Sequence, residues 1–248
     1  MKNPFLKITS IIIILFSGNS LSAQVVDTAV QNKIIKINVP TLFLKNISFQ
    51  YEQVLNKKHS FAVAVRFRPK SSMPFQSTIE SIIDQKSVRV DLFKIGNIGI
   101  TPEYRFYLGK KKAPQGFYIA PFISYNHYTG DIPVNYMNDA KTGVFVGSIN
   151  TYTAGFQLGA QWKLNDHLSL DWWILGPNYG KSKGDFIYAA QLDDTEQISM
   201  DFELFRIQEG TNPRIMKSYT VNSNGASFVI DGPWGGLRAM GVCLGYRF

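Results

Sequence analysis

The chain has 248 residues and a formal net charge of +8, and its length suits a single domain. Charged residues make up 18% of the chain, below the roughly 25% of an average globular protein, whereas aromatic residues reach 14%. Few charges with many aromatic side chains are expected of a protein that turns apolar side chains toward lipid. The single cysteine, Cys243, excludes an internal disulfide.

The first 23 residues have the parts of a cleaved signal peptide. A basic start precedes an apolar run over residues 8–16, and Leu21-Ser22-Ala23 supplies the small residues that a signal peptidase recognises. The run is too short for a membrane-spanning helix, which needs about 20 residues. We therefore expect a signal peptide over residues 1–23 and an exported domain over residues 24–248, with an uncleaved anchor as the alternative. Export also makes a nucleic-acid partner unexpected.

The exported part of the chain alternates apolar and polar residues, as strands do when one face meets lipid and the other lines a barrel. Ile98, Ile100 and Phe106 share one face of a segment whose other face carries Glu103 and Arg105. No second apolar run is long enough for a membrane helix, so we predict an all-β fold, an eight-stranded antiparallel transmembrane up-and-down β-barrel with long external loops. The eight strands are predicted over residues 33–41, 46–55, 60–68, 95–107, 116–128, 149–163, 168–179 and 235–248.

Connection lengths support this arrangement. With the N-terminus on the periplasmic side, the turns after the second, fourth and sixth strands should be short, and they are. The connections after the third, fifth and seventh strands are long and are predicted to be external, over residues 69–94, 129–148 and 180–234. A soluble β-sandwich is the alternative fold.

The longest of these connections, residues 180–234, is predicted to contain secondary structure. Residues 184–190 and 226–231 are suited to extending strands beyond the membrane. Ile198, Phe202 and Phe205 have helix-like spacing, so we expect a helix over residues 195–208 that caps the barrel mouth or lies on it.

Alternation places charged residues of both signs inside the barrel. Glu52, Arg66, Glu103, Arg105 and Asp171 all fall on the inward face. An eight-stranded barrel is only wide enough for side chains to fill, so these charges must pair. We predict a barrel-interior charge network, with Glu103 and Arg105 contacting Glu52, Arg66 or Asp171, and no open pore.

The last predicted strand ends on aromatic residues. Tyr246 and Phe248 lie on its apolar face, and a terminal aromatic on an alternating strand resembles the signal that barrel-assembly machinery reads. We therefore expect Tyr246 and Phe248 to act as an assembly signal. Toward the periplasmic ends of other strands, Tyr104, Tyr118 and Trp162 are expected to form part of an aromatic girdle.

The search for catalytic and metal-binding residues yields no site. Ser124 and His127 form the nearest candidate hydrolase pair, but their spacing places them on opposite faces of a strand. Asp193, Asp194 and Glu196 could offer oxygen ligands to Ca²⁺, although they lack a known loop motif and a solvated acidic loop is favoured. We predict no catalytic, cofactor-binding or metal-binding residues.

Basic residues gather near the predicted external rim. They are suited to contacting lipopolysaccharide phosphates, a solvated rim being the alternative. The group consists of Arg66, Arg68, Lys70, Lys181 and Lys183.

Two stretches resemble a known family. They are Lys36 to Leu55, containing Asn46-Ile47-Ser48-Phe49-Gln50-Tyr51-Glu52, and Thr101-Pro102-Glu103-Tyr104-Arg105-Phe106-Tyr107-Leu108, which leads to Gly116-Phe117-Tyr118. They look like a domain-of-unknown-function family of small exported Gram-negative outer-membrane barrels. The resemblance extends to about residue 180, implies the barrel fold and carries no established activity.

Three functions follow as hypotheses. The first is a non-enzymatic, monomeric outer-membrane barrel that stabilises the envelope or presents its loops to a partner, in contact with outer-membrane lipids and lipopolysaccharide. The second is a lipid-modifying outer-membrane enzyme acting on lipopolysaccharide or phospholipid. The third, weaker one is a soluble periplasmic binding domain.

The signal-peptide pattern predicts that the mature protein begins at Gln24, because Leu21-Ser22-Ala23 matches the residues that the peptidase reads. N-terminal sequencing of the protein from the membrane fraction checks this. A protein that still begins at Met1 would contradict it.

Overall fold

The structure, a computed structural model, describes residues 32–72, 92–210, 215–238 and 241–248. The predicted signal peptide lies outside the described residues. Among the helices of the described ranges, none is both long and apolar enough to cross a membrane.

The described residues form antiparallel strands and two helices. In chain order these are β1 (Lys33–Asn38), α1 (Val39–Phe43), β2 (Ile47–Val54), β3 (His59–Ser72), β4 (Lys94–Tyr107), β5 (Gly116–Tyr136), β6 (Lys141–Lys163), β7 (Leu168–Leu175), β8 (Pro177–Ala189), α2 (Asp194–Gly210), β9 (Met216–Asn222), β10 (Gly225–Leu237) and β11 (Gly241–Arg247).

Eight of these strands close into a ring, which confirms the predicted antiparallel barrel. The order around the ring is β1, β2, β3, β4, β5, β6, β7 and β11, and β11 pairs with β1 to close it. At the closing seam, the backbone N–H of Phe248 donates to the Lys33 oxygen at 3.0 Å, and the Lys33 N–H donates back at 3.1 Å. Tyr246 and Phe248 both point outward.

The barrel wall has an apolar outside and a polar inside. Along β3, Phe61 and Phe67 face outward and Ala62 and Ala64 face inward. The same alternation runs through β2, where Phe49 is exposed between the buried Ser48 and Gln50. Successive strand residues point to opposite faces, so the period of two in the sequence is the direct cause of this division.

Two of the predicted strands each break into two at the same level of the barrel. At the break, the residues that face inward change between odd-numbered and even-numbered positions. In β7 the odd residues Asp171 and Trp173 are buried, whereas in β8 the even residues Ser182 and Phe186 are. A register irregularity beside Gly159 marks the change. The adjacent predicted strand breaks as well, since β10 ends just before Arg238 and β11 begins after it. The backbone N–H of Arg238 donates to the Gly176 oxygen at 2.8 Å and so joins the two breaks. The predicted continuous strands 168–179 and 235–248 are therefore broken here.

Beyond the barrel, β5, β6, β8, β10 and β9 continue as one sheet. With α2 this sheet forms the part of the molecule that we call the crown (residues 130–149, 183–210 and 215–231). The prediction of a loop over residues 129–148 is wrong, because β5 and β6 continue as strands to a short turn at residues 137–140. Strand structure persists because alternate side chains still have a core to enter. The crown core contains Val134, Tyr136, Phe145, Ile149, Phe186, Leu192, Met200, Leu204, Met216, Ala226, Phe228 and Ile230.

Helix α2 covers the inner face of the crown, in contact with its two edge strands β5 and β9. The predicted helix is present, but its buried face is not the predicted one. Met200 and Leu204 are fully buried, whereas Ile198, Phe202 and Phe205 are 72%, 60% and 51% exposed.

The first strand, predicted over residues 33–41, is shorter in the structure. It ends at Asn38, and α1 begins at Val39 with Pro40 in its first turn. Proline has no backbone N–H to give to a strand ladder and is well suited to a first helical turn, which explains the change.

The acidic residues that precede α2 form a helix cap. The Glu196 backbone N–H donates to Asp193 Oδ1 at 2.8 Å, and the Asp193 N–H donates to Glu196 Oε2 at 3.0 Å. This reciprocal pair is a capping box. The Lys141 ammonium, from the tip of β6, donates a hydrogen bond to the Glu196 carboxylate and, with the Asp193 N–H, holds the pKa of Glu196 below its ordinary value of 4.5.

The lowered pKa predicts that α2 loosens in acid. A carboxylate whose folded pKa lies below its unfolded value stabilises the fold above the unfolded pKa, and this stabilisation is lost as the pH falls from about 4.5 through the folded pKa. Amide hydrogen-exchange protection of residues 194–210 should therefore drop below about pH 4.5.

Glu196→Gln should remove most of this pH dependence, and Glu203→Gln, on the same helix, should retain it. Equal pH dependence in wild-type protein and Glu196→Gln would contradict the role of the Lys141–Glu196 pair.

Candidate functional site in the barrel interior

The charged residues inside the barrel come from strands that are far apart in sequence. Lys36 lies on β1, Glu52 on β2, Glu103 and Arg105 on β4, and Asp171 on β7. Each falls on the inward face of its strand and is at most 2% exposed. Closing the barrel is what brings these strands to face one another.

Arg105 is the centre of the network. Its guanidinium lies 2.5 Å from the Glu103 carboxylate, 2.7 Å from Asp171 and 3.4 Å from Glu52. The ring of Tyr118 lies beneath it, with the guanidinium carbon 4.3 Å from the ring centroid. One side chain thus holds three carboxylates that would repel each other without it.

Lys36 supplies a second cation to the same carboxylates. Its ammonium lies 2.5 Å from Glu52 and 2.6 Å from Asp171, and it donates a hydrogen bond to Gln161 Oε1 at 2.9 Å. Glu52 and Asp171 are therefore each shared by two cations.

Neutral side chains donate further hydrogen bonds to the carboxylate oxygens of the network. The Tyr107 hydroxyl donates to Glu52 at 2.7 Å, and the Tyr118 hydroxyl donates to Asp171 at 2.8 Å. Gln50 donates to Glu103 at 3.0 Å and accepts from Arg105 at 2.9 Å. The expected place of Tyr118 in the outer aromatic girdle is wrong, since Tyr118 points inward and is 1% exposed.

Arg238 is a member that the sequence pattern misses. Alternation back from Phe248 turns it outward, but the break between β10 and β11 carries it into the barrel. There it is bonded to Glu103, and its guanidinium carbon lies 3.9 Å from the centroid of the Trp173 ring. Gly235-Gly236 just before it and Gly176-Pro177 opposite are the sequence signals that could have indicated an irregular strand.

Arg66 departs from the predicted network. It lies on the inward face of β3 but makes no ion pair with a described carboxylate, and it lines the same small cavity as Arg238. The network proper therefore holds three cations, Lys36, Arg105 and Arg238, and three carboxylates, Glu52, Glu103 and Asp171. These charges cancel.

The arrangement holds each charge of the network between several partners. Each carboxylate of the network has at least two partners, and large polar side chains fill the space between them. Elsewhere, Ser124 shares a hydrogen bond of 2.8 Å with Thr101 inside the barrel, whereas His127 contacts Asn150 at 2.9 Å. Within the described ranges, no group of acidic, histidine or cysteine side chains could hold a metal ion.

Residues 10–197 match the model of a protein family, and this stretch contains every strand from β1 to β8. The chain belongs to the DUF3575 family, described as a protein of unknown function. No curated protein and no solved structure matches the sequence. The DUF3575 match includes Lys36, Glu52, Glu103, Arg105 and Asp171, whereas Arg238 and β11 lie beyond it.

Removing the central cation should be far more damaging than removing an exposed one. Arg105→Met leaves three buried carboxylates with two cations, and breaking a buried pair costs about 3–5 kcal/mol. Urea unfolding of protein refolded in detergent measures the change in the free energy of unfolding.

The matched control is Asp166→Asn, which breaks the exposed Lys163–Asp166 pair. It should cost less than about 1 kcal/mol. Similar losses for the two variants would show that the interior network does not stabilise the barrel.

Proposed function

We propose that this protein is a non-enzymatic barrel of a Gram-negative outer membrane, which spans the membrane with its ring of strands and acts on the cell's outer side through the crown. The observation that carries the proposal is the reversed distribution of polarity. Arg105 is 0% exposed inside the barrel, whereas Ile123 and Phe156 on the outer wall are each 62% exposed. A barrel in lipid needs this distribution.

The extent of the apolar wall supports the same conclusion. Large apolar side chains are exposed on every strand of the ring, for example Phe49, Phe61, Ile100, Phe117 and Leu244. Proteins that stay monomeric in water rarely expose continuous apolar patches of more than a few hundred Å². Lipid chains covering the wall would remove this cost.

Strand length and aromatic residues suggest where the membrane lies. A membrane β-strand needs only about 9–11 residues, whereas β5 and β6 have 21 and 23, so their crown portions would project beyond the membrane. At the end with short turns, Trp162, Trp172 and Tyr246 are outward-facing and exposed, as in an interfacial girdle.

The basic residues near the crown suggest a contact with lipopolysaccharide, although fewer take part than the sequence predicts. Arg66 faces inward, and Lys70 forms a 2.5 Å pair with Asp131. Lys181 and Lys183 remain on the outer face of β8. They would face the phosphates of lipid headgroups, where charge-assisted bonds are favourable.

The non-enzymatic part of the proposal rests on the geometry of the nearest candidate pair. A serine hydrolase needs its base within hydrogen-bond reach of its nucleophile. Ser124 instead contacts Thr101 on the inner face of the wall, and His127 contacts Asn150. We accordingly favour a structural or interaction role over the alternative of a lipid-modifying enzyme, with barrel-assembly machinery as the partner that inserts the chain.

A pair of lysine substitutions on one strand tests the membrane location. Phe156 and Val146 lie on the same outer face of β6, but Val146 belongs to the crown. Phe156→Lys should cost about 2–4 kcal/mol, because it places a charge in the bilayer, whereas Val146→Lys should cost less than about 1 kcal/mol.

The measurement is urea unfolding of each variant folded into lipid vesicles, compared with wild-type protein. Equal effects of the two substitutions would contradict a membrane boundary between these positions.

A further inference from the structure

A cavity lies inside the barrel between the charge network and the crown core. It has a volume of about 120 Å³ and is lined by Arg66, Ser124, Asn126, Thr153, Asn178 and Arg238, among others. A buried water needs a cavity of only roughly 10–15 Å³, so this one has room for a small polyatomic ion. Its lining is rich in hydrogen-bond donors.

The cavity exists because one row of inward residues across the wall is small. Arg66 pairs with Gly99, and Gly99 pairs with Asn126. The row continues through Thr151 to Ser182. Arg66 is the only long side chain of these five, so its guanidinium has space in front of it.

Gly99 leaves room for the Asn126 side chain. A Cβ atom added to Gly99 would lie 2.2 Å from Asn126 Oδ1. The Asn126 amide therefore extends over β4 in the direction of β3, the strand that carries Arg66. A larger residue at position 99 would displace this amide from the cavity wall.

Polar atoms at the cavity are left without partners. The Arg238 side chain is 8% exposed and bonds Glu103 through Nη1. Its donors Nε and Nη2 have no hydrogen-bond partner within the described part of the chain, and neither has the acceptor Asn126 Oδ1. Buried polar groups of this kind are normally paired, since leaving one unpaired costs about 1–3 kcal/mol.

The charge balance identifies the sign of the ligand. The network of Lys36, Arg105 and Arg238 with Glu52, Glu103 and Asp171 is neutral, so among the described residues Arg66 adds a positive charge without a carboxylate partner, beside Arg238. Two neighbouring cations in a poorly solvated interior repel each other, and an anion between them would relieve the repulsion.

We propose that this cavity is an oxyanion-binding site for a phosphate group, held between Arg66 and Arg238. The planar guanidinium groups donate paired hydrogen bonds that match phosphate oxygens. The Asn126 amide donates one N–H to Ser124 Oγ at 3.1 Å, and its second N–H is a further donor at the cavity. The site does not depend on the proposed membrane location, because it is built entirely from inward-facing side chains.

The phosphate group has two possible sources, free inorganic phosphate and a lipid headgroup. An apolar cleft of about 700 Å³ on the outer wall shares Phe122 and Asn178 with the cavity. Pro102, Pro121 and Pro177 line this cleft and provide no backbone N–H to the sheet. A lipid whose chains occupy the cleft would bring its headgroup to this part of the wall.

The test is calorimetric titration of the full-length mature protein in a maltoside detergent, which contains no phosphate. One arm adds inorganic phosphate. The other compares mixed micelles containing phosphatidic acid with micelles containing diacylglycerol, which lacks only the phosphate. Saturable binding in either arm is expected, and the arm in which it occurs identifies the source.

Substitutions assign the binding to the cavity. Arg66→Gln should weaken it by about tenfold or more, as expected for the loss of a charged hydrogen bond. Lys110→Gln, which removes an exposed charge in the short turn after β4, should leave the affinity unchanged. Asn126→Asp introduces a carboxylate beside the arginines, should abolish binding, and decides the question if Arg66→Gln does not fold.

Three results would overturn the proposal. Wild-type protein could bind in neither arm, or a folded Arg66→Gln or Asn126→Asp variant could bind as tightly as wild type. Lys110→Gln could also lose as much affinity as Arg66→Gln, which would indicate only general attraction between a basic protein and an anion.

Discussion

Charges buried inside a narrow barrel must neutralise one another, and Arg105 is where this constraint is met. The partners of Arg105 come from β2, β4 and β7, so the ion pairs form only when the ring of strands has the correct order and register. A slip of one residue would turn the same side chains toward the outer face. The network therefore links the closure of the barrel to a single register, whatever its net contribution to stability.

The interior changes character from one end of the molecule to the other. Ion pairs fill the barrel, small polar residues surround the cavity above them, and apolar residues fill the crown. The parity change beside Gly176 and Arg238 lies at the first of these transitions. Irregular strand pairs of this kind redirect side chains, and here the irregularity brings Arg238 into the barrel. One local feature of the backbone thereby joins the charge network to the proposed phosphate site.

The fold was largely predictable because a barrel strand shows its two environments in alternation. The inward positions of Glu52, Glu103, Arg105 and Asp171 followed from this period alone. The pattern could not reveal where a strand breaks, so Arg238 was missed. It also could not show that Arg66 lacks a carboxylate partner, since pairing depends on the distances between side chains from different strands. In the crown, both faces of β5 and β6 carry polar residues near the tip. The alternation of apolar and polar residues is therefore lost there, and the sequence predicts a loop over residues 129–148. Helix α2 was predicted with the wrong buried face because Ile198, Phe202 and Phe205 are the more obvious apolar set.

We propose above that the apolar outer wall of this DUF3575 barrel faces lipid, and the location of the protein in the cell tests this directly. The most direct measurement is fractionation of cells that produce the protein, followed by electrophoresis of the outer-membrane fraction with and without boiling. We expect the protein in the outer-membrane fraction, and we expect boiling to change its mobility, because a closed barrel resists detergent until it is heated. Recovery in the soluble fraction, with a mobility that boiling leaves unchanged, would contradict it.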